Sequence, residues 1–361
     1  MALVLPFEAR ALTRGPGMLL ALPFEARGLT RAEMREAANL DLIVRRGGTY
    51  LRAAACSDMK ALKAFSLGCM VVLVSLSACG TPSEPEIAET YVQAGDVTLH
   101  VRIAGNTGAE NVLIGIHGGP GNSSDYMASL EELQNEKITV VTYDQRGTGQ
   151  SSEPSEGFGL LSYVEDVEAV RKASGSEKVH LFGHSWGGIV AMRYSTVHPD
   201  RVKSIILMGS GPPSADPLSA TQARLGQRIA ELQQSGYIDD PLPSTSEELV
   251  PALLPAYFSD PGFVMPDELA NMSFDQEVSD QTFAALGEWD FKAEVGQLHH
   301  PVLMLWGEDD PFGLALAEAT VSAFSGEVDF VVLDACGHYW HECPEEFFSE
   351  VRSFLEQVSM P

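Results

Sequence analysis

Residues 178–197, KVHLFGHSWGGIVAMRYSTV, decide the fold. The apolar run at 178–182 is typical of a buried strand, and residues 188–197 have the pattern of a helix. Between them lies G-x-S-x-G at 183–187, which places Ser185 in a sharp turn from strand to helix. Side chains at the two glycine positions would clash with the neighbouring strand or helix. We therefore predict that Ser185 is a nucleophile.

A glycine-rich loop precedes this turn. The apolar strand at 112–116 leads into HGGPG at 117–121. A hydroxyl that attacks a carbonyl needs hydrogen-bond donors for the developing oxyanion, and a strand-turn-helix nucleophile takes one donor from such a loop and one from the residue after the serine. We predict that these donors are the backbone N–H groups of Gly119 and Trp186, with Gly118 as the alternative to Gly119.

Two later strand ends provide an acid and a base. Strand-like residues 301–306 lead into GEDD at 307–310, and strand-like residues 328–333 lead into DACGH at 334–338. His338 is predicted to accept the proton of Ser185, while a buried carboxylate holds the imidazole tautomer and stabilises its charged form.

Each of these two assignments has an alternative. Asp310 is preferred as the carboxylate, and Asp309 is the alternative. His341 is the weaker candidate for the base because it lies farther from the end of the strand.

Short apolar runs alternate with helix-length segments along the chain, which predicts an α/β fold with a mostly parallel central sheet flanked by helices. A hairpin at 89–94 and 97–104 comes first. The predicted strands that follow are 112–116, 138–143, 178–182, 203–208, 301–306 and 328–333. Residues 214–288, after the sixth strand, are interrupted by prolines and are predicted to form a helical lid.

Three motifs together resemble the proline iminopeptidase branch of the α/β-hydrolase superfamily: HGGPG at 117–121, DQRGTGQS at 144–151 and GHSWGG at 183–188. The resemblance covers a predicted hydrolase core at residues 90–213 and 289–361. It implies the α/β-hydrolase fold, a serine aminopeptidase that releases N-terminal residues, often proline, and no metal or organic cofactor. It also implies that Asp144 and Arg146 brace the oxyanion loop.

The predicted lid departs from that branch. Its peptidases usually carry W-x-x-W-E in this region, which helps to hold the substrate's free amine, whereas residues 214–288 contain no tryptophan. Esterases and lactonases share the same triad, so a carboxylesterase or lactonase acting on small acyl substrates is the alternative to an aminopeptidase. A non-catalytic binding protein is a third reading, and the complete set of Ser185, Asp310 and His338 argues against it.

The charge is strongly acidic, with a net charge of −27 at pH 7. Such a surface argues against nucleic acid as a partner and against an anionic substrate. The partner that the family resemblance implies is a small peptide or ester substrate. In the predicted lid, many carboxylates accompany only two basic residues, Arg224 and Arg228. An ammonium group would be attracted to this region, and we name Glu231 as the residue that binds it. Nothing in the sequence specifies an oligomeric state.

The N-terminal region has the pattern of an export signal. Residues 59–78 comprise MKALK, an apolar run and a small-residue cleavage site, and they are followed by Cys79. This pattern resembles a bacterial lipoprotein signal, which implies lipid attachment at Cys79, a tether at 79–89, and a membrane-anchored protein on the periplasmic or cell-surface side. The lipid is the predicted contact with the membrane.

Residues 1–58 precede this signal and contain a repeat, LPFEARALTR at 5–14 and LPFEARGLTR at 22–31. Because export signals act at the start of a chain, we interpret residues 1–58 as a non-native extension from an over-extended gene prediction. Two repeats are too few for a solenoid.

Two cysteines, Cys336 and Cys343, flank His338. Exported proteins keep disulfides, so this pair is a candidate disulfide. With His341, the same residues have a spacing that resembles a metal site. Since the triad already accounts for His338, we predict no metal.

Overall fold

The computed structural model describes residues 40–45, 48–53, 87–106 and 109–359 of the 361 residues. The chain divides into two compact units, residues 1–79 and 80–361. The first contains an antiparallel hairpin, β1 (Leu40–Arg45) and β2 (Gly48–Ala53), which the sequence did not predict. The predicted signal at 59–78 and the lipid site at Cys79 lie outside the described residues.

The second unit is built on an eight-stranded sheet with the order β10-β9-β8-β7-β5-β6-β4-β3. Its strands are β3 (Ile87–Ala94), β4 (Val97–Ala104), β5 (Asn111–Ile116), β6 (Ile138–Tyr143), β7 (Val179–His184), β8 (Val202–Met208), β9 (Val302–Gly307) and β10 (Val328–Leu333). The pairs β3–β4 and β4–β6 are antiparallel, and the other pairs are parallel. The predicted α/β fold with a mostly parallel sheet is confirmed, although β3 begins inside the predicted tether.

Helices cover this sheet. The α-helices of the described residues are α1 (Leu160–Ala173), α2 (Trp186–Val197), α3 (Leu218–Ser235), α4 (Ser246–Leu253), α5 (Asp267–Ala270), α6 (Gln276–Leu286), α7 (Lys292–Val295), α8 (Leu314–Val321) and α9 (Pro344–Val358). Short 3₁₀ helices occupy Asp125–Leu133, Pro199–Arg201, Leu254–Tyr257 and Trp340–Glu342. None of the helices described is long and apolar enough to cross a bilayer.

The sheet has an apolar core on each face. On one face, Val167 of α1 and Val190 of α2 pack in one buried cluster. On the other, Tyr126 of the first 3₁₀ helix and Phe347 of α9 belong to a second. Strands β5, β6, β7 and β9 are buried along their whole length, as expected for a parallel sheet with both faces covered. The sheet therefore presents a fixed row of strand ends to the site.

Residues 214–288 form a helical insertion between β8, the sixth strand of this sheet, and α7. It contains helices α3 to α6 and the 3₁₀ helix Leu254–Tyr257. The predicted position after the sixth strand and the helical character are both observed. We call this segment the insertion.

Candidate active site

The nucleophile candidate lies in a strained turn. Strand β7 ends at His184, α2 begins at Trp186, and Ser185 between them has φ 53° and ψ −118°. The residues two positions before and after it must be small: a Cβ on Gly183 would overlap the backbone oxygen of Gly187, and a Cβ on Gly187 would overlap the carbonyl oxygen of Ile116. A non-glycine residue at positive φ costs energy and is retained where the surrounding structure fixes it, commonly at a functional site.

The carboxylate beside the candidate base is Asp310. Its Oδ2 is 2.7 Å from Nδ1 of His338, and its Oδ1 accepts a hydrogen bond from the Phe312 N–H at 2.8 Å. Asp310 and His338 are both buried. Because an ionised carboxylate only accepts hydrogen bonds, Nδ1 carries the proton and Nε2 is left with its lone pair. The imidazole is thus held in the tautomer that a general base requires.

The two alternatives for acid and base lie elsewhere. Asp309 is exposed, and its Oδ2 accepts a hydrogen bond from the Ser259 hydroxyl at 2.6 Å. His341 Nε2 lies 3.0 Å from the backbone oxygen of Tyr126, and burial lowers the pKa of His341 to about 4. Neither residue contacts the Asp310–His338 pair through a hydrogen bond of its side chain.

Ser185 and His338 each lie next to the end of β8. The Ser185 N–H donates to the backbone oxygen of Met208 at 3.0 Å. The next residue, Gly209, lies against the His338 ring, since a Cβ there would come within 2.9 Å of its Cε1. Within the described part of the chain, the Ser185 hydroxyl forms no hydrogen bond. In enzymes of this type, such bonds often form fully only with substrate bound.

Two of the three predicted oxyanion donors remain available. The Gly118 N–H donates to the Tyr126 hydroxyl at 2.5 Å and is therefore occupied. Among described residues, no acceptor is found for the Gly119 N–H, and Trp186, as the first residue of α2, has no intrahelical acceptor. This geometry leaves the N–H groups of Gly119 and Trp186 as the candidate oxyanion donors.

Two side chains of the DQRG segment, Asp144 and Gln145, form hydrogen bonds in or next to the oxyanion loop. Gln145, which sequence reasoning did not single out, donates to the His117 backbone oxygen at 2.7 Å and accepts from the Trp186 indole at 2.9 Å. It therefore connects the oxyanion loop, residues 117–123, to the residue that follows the nucleophile. Asp144 bonds Ser124 just beyond that loop. Burial alone would raise the pKa of Asp144, but N–H donors from Gln150 and Ser124 hold it below its usual range.

Arg146 supports a different element from the one expected. Its guanidinium pairs with Asp166 of α1 at 2.7 Å and donates to the backbone oxygens of Gly157 and Ser162. Among described residues it has no hydrogen bond to the oxyanion loop. Arg146 is thus a brace for α1, and the bracing of the loop comes from Asp144 and Gln145.

The insertion is attached to the base loop, residues 334–343. The His338 N–H donates to the backbone oxygen of Tyr257 at 2.7 Å. The Glu342 carboxylate accepts three backbone N–H groups, from Ser259 at 2.8 Å, Asp260 at 3.0 Å and Gly337 at 2.8 Å. Neither Tyr257 nor Glu342 belongs to a sequence motif, so the sequence offered no signal for them.

A second attachment joins the insertion to the oxyanion loop. The Ser123 N–H donates to Ser273 O at 2.9 Å, and the Asp275 N–H donates to Gly121 O at 2.8 Å. A Cβ on Gly121 would overlap the Asp275 backbone oxygen, so this glycine permits the close approach. The insertion therefore contacts both loops that flank Ser185.

The structure does not bring Glu231 to Ser185. Glu231 is exposed on α3, where it accepts a hydrogen bond from Gln227 at 2.9 Å. It lines a cavity of about 330 Å³ together with Arg224, Arg228 and Asp310. The residues lining this cavity do not include Ser185 or His338.

The cysteine pair of the base loop is joined. Cys336 and Cys343 form a disulfide with their Cα atoms 5.6 Å apart, which closes the loop around His338. No group of three or more His, Cys, Asp or Glu side chains in the described segments is arranged to hold a metal ion.

Comparison with known proteins identifies the family. Residues 111–342 match the family model of the alpha/beta hydrolase fold. The chain belongs to the α/β-hydrolase family. Along 74% of its length, the hydrolase is 28% identical to the proline iminopeptidase of Thermoplasma volcanium, of which it covers 96%. With the elbow that carries Ser185, this membership makes the protein a serine hydrolase.

Solved structures agree with this assignment. The hydrolase superposes on a proline iminopeptidase-related protein from Thermus thermophilus with a TM-score of 0.59 and 26% identity, covering 75% of this chain and 98% of that one. It superposes on the proline iminopeptidase of Mycobacterium smegmatis with a TM-score of 0.59 and 24% identity, covering 75% and 98% of the two chains. At that identity, the second match supports the fold alone.

Proposed function

We propose that this serine hydrolase is an aminopeptidase that releases N-terminal residues, with a proline-type preference, from short peptides or amides through an acyl-enzyme. The observation that carries the proposal is the similarity of this chain to a proline iminopeptidase over 96% of that protein's length. The 2.7 Å contact between Asp310 and His338 beside the elbow of Ser185 supports the hydrolytic chemistry.

The proposed reaction follows from these positions. The Ser185 oxygen attacks the carbonyl carbon of the first residue while Nε2 of His338 takes its proton. The oxyanion accepts hydrogen bonds from the N–H groups of Gly119 and Trp186. Collapse of the intermediate breaks the C–N bond, and His338 returns the proton to the leaving amine. Water, deprotonated by His338, then hydrolyses the Ser185 ester and frees the residue.

Recognition of the free amine is part of the proposal. The insertion combines many carboxylates with only Arg224 and Arg228, so its field attracts a substrate's ammonium group. Because the cavity that Glu231 lines does not include Ser185, we assign Glu231 to this attraction and not to a hydrogen bond beside the scissile bond.

A carboxylesterase or lactonase is the second candidate, and one observation favours it. Phe283 of α6 lies with its ring centroid 6.4 Å from that of Trp186 and is 45% exposed. An exposed aromatic ring beside the residue that follows the nucleophile would suit an apolar acyl group. The absence of tryptophan from residues 214–288 points the same way.

We also propose that the protein is an exported bacterial lipoprotein, anchored through Cys79 on the periplasmic or cell-surface side. Two observations support this: the signal-like sequence at 59–78, and the Cys336–Cys343 disulfide, because disulfides persist in oxidising compartments.

A substrate panel tests the activity. Proline and alanine naphthylamides are compared with their N-acetylated analogues and with short acyl nitrophenyl esters, and Ser185→Ala is the blank. The aminopeptidase proposal predicts at least a tenfold higher kcat/KM for the free amine, about 1.4 kcal/mol. Equal rates for free and acetylated amides, with faster turnover of the esters, would establish the esterase reading.

A further inference from the structure

A buried chain of hydrogen bonds connects the oxyanion loop to the base loop behind Ser185. The Gly118 N–H lies 2.5 Å from the Tyr126 hydroxyl, which lies 2.8 Å from Nδ1 of His184. On the other side of the ring, Nε2 of His184 lies 3.0 Å from the backbone oxygen of His338. Tyr126 and His184 are almost completely buried.

Only one assignment of protons satisfies every group in this chain. The Gly118 N–H can only donate and the His338 carbonyl can only accept, so Nε2 of His184 carries the ring proton. Its Nδ1 is then an acceptor for the Tyr126 hydroxyl. Burial lowers the pKa of His184 well below its ordinary value, and burial raises that of Tyr126. Both residues therefore stay neutral, as this assignment requires.

Packing supports the same connection. The Tyr126 ring lies 5.5 Å from that of Tyr339 and 5.8 Å from that of Trp340, which both belong to the base loop. The backbone oxygen of Tyr126 also lies 3.0 Å from Nε2 of His341. The first 3₁₀ helix is thus docked on the base loop around the tyrosine.

We propose that Tyr126 and His184 are positioning residues that hold the oxyanion loop and the backbone of His338 in one catalytic geometry. The proposal rests on the proposed function, because it assigns roles relative to Ser185, His338 and the oxyanion donors. Neither residue forms a hydrogen bond to the reacting atoms. Tyr126 acts through Gly118, the neighbour of Gly119, and His184 acts on His338 through its carbonyl and through its ring, whose centroid lies 4.7 Å from that of His184.

The chain offers matched controls for both positions. Tyr126→Phe removes a hydroxyl with two partners, whereas Tyr143→Phe removes one that is equally buried and has no partner among described residues. His184→Leu breaks the connection, and His184→Gln supplies an amide oxygen toward Tyr126 and an amide N–H toward His338. His180→Gln alters a buried histidine that bonds Ser204 and Asn111 at the far end of β7.

The experiment measures covalent labelling of Ser185 by a fluorophosphonate, together with kcat, KM and the thermal unfolding midpoint. We expect Tyr126→Phe and His184→Leu to slow labelling and lower kcat by roughly tenfold to a hundredfold with KM nearly unchanged, because misplaced catalytic groups lose rate. His184→Gln should recover most of the rate. The double variant should be no slower than the slower single variant, since both changes break one connection.

Two results would overturn the inference. One is labelling by Tyr126→Phe at the rate of Tyr143→Phe, or by His184→Leu at the rate of His180→Gln. The other is a folded double variant whose fold-loss in rate equals the product of the losses of Tyr126→Phe and His184→Leu. Failure of the proposed function is separate, since it would appear as a wild-type protein that is not labelled, or as Ser185→Ala labelled at the wild-type rate.

Discussion

Replacement of Asp310 by asparagine is the sharpest test of the acid assignment. Asp310 has two acceptor oxygens, and each has one donor: the His338 ring at 2.7 Å and the Phe312 N–H at 2.8 Å. Asparagine has a single acceptor oxygen. If the oxygen stays with Phe312, the amide NH₂ faces Nδ1 of His338, and the imidazole must move its proton to Nε2 to accept from it.

The size of the effect separates two explanations. Loss of one hydrogen bond to a charged group is worth about 1.5–3 kcal/mol, or roughly 10- to 150-fold in rate. A wrong tautomer removes the general base itself, and in serine proteases such a change lowers kcat by about 10⁴, which corresponds to about 5.5 kcal/mol. We expect the larger loss for Asp310→Asn, because no other described side chain bonds Nδ1 of His338 and could fix its tautomer.

Asp309→Asn is the matched control. Asp309 is exposed and accepts one hydrogen bond, from the Ser259 hydroxyl, which an asparagine oxygen can also accept. We expect kcat/KM within about threefold of the parent, because the Asp309 side chain forms no hydrogen bond to His338 and exposed substitutions usually change the unfolding free energy by no more than about 0.5 kcal/mol. Activity is measured on the best substrate of the panel, with Ser185→Ala as the blank and thermal unfolding as the folding control. If Asp309→Asn is the more damaging change, Asp310 is not the acid.

Three further predictions concern the attachments of the site. Glu342→Gln leaves at least one of three backbone N–H groups without an acceptor, so we expect a loss of about 1–3 kcal/mol in unfolding free energy by denaturant titration. Glu346→Gln is the control and should lose less, because Glu346 accepts one N–H, that of Asp334, which a glutamine oxygen can also accept. Reduction of the Cys336–Cys343 disulfide should lower the unfolding free energy by about 2–3 kcal/mol, a value set by the short loop that it closes. The control is Cys336→Ser, whose unfolding free energy should be the same under oxidising and reducing conditions. Cys79→Ser should abolish partitioning into a detergent phase, since stable anchoring requires the acyl chains; unchanged partitioning contradicts the lipoprotein proposal.

The candidate catalytic residues could be located on strand ends from the sequence because their signals are local. Ser185, Asp310 and His338 each follow an apolar run at a strand end, and a parallel sheet brings such ends together whatever the intervening loops do. The strand boundaries of the eight-stranded sheet were predicted to within two residues, since buried parallel strands are continuous apolar runs.

The supporting residues could not be predicted for the opposite reason. Glu342 bonds Ser259 and Asp260, which lie more than 80 residues away, and no spacing in the sequence relates them. Gln145 lay inside a recognised motif, but its indole contact depends on how α2 packs. Glu231 was chosen from charge alone, and charge does not determine which face of the insertion a side chain occupies.

The two attachments of the insertion constrain how this enzyme can change its specificity. Residues 257–260 bond the base loop and residues 273–275 bond the oxyanion loop, so exchange of either segment would disturb catalysis along with substrate choice. Helices α3 and α4 lie outside both attachments. Substitutions in these two helices leave both attachments in place, so we expect them to disturb the reaction chemistry less than substitutions in residues 257–260 or 273–275.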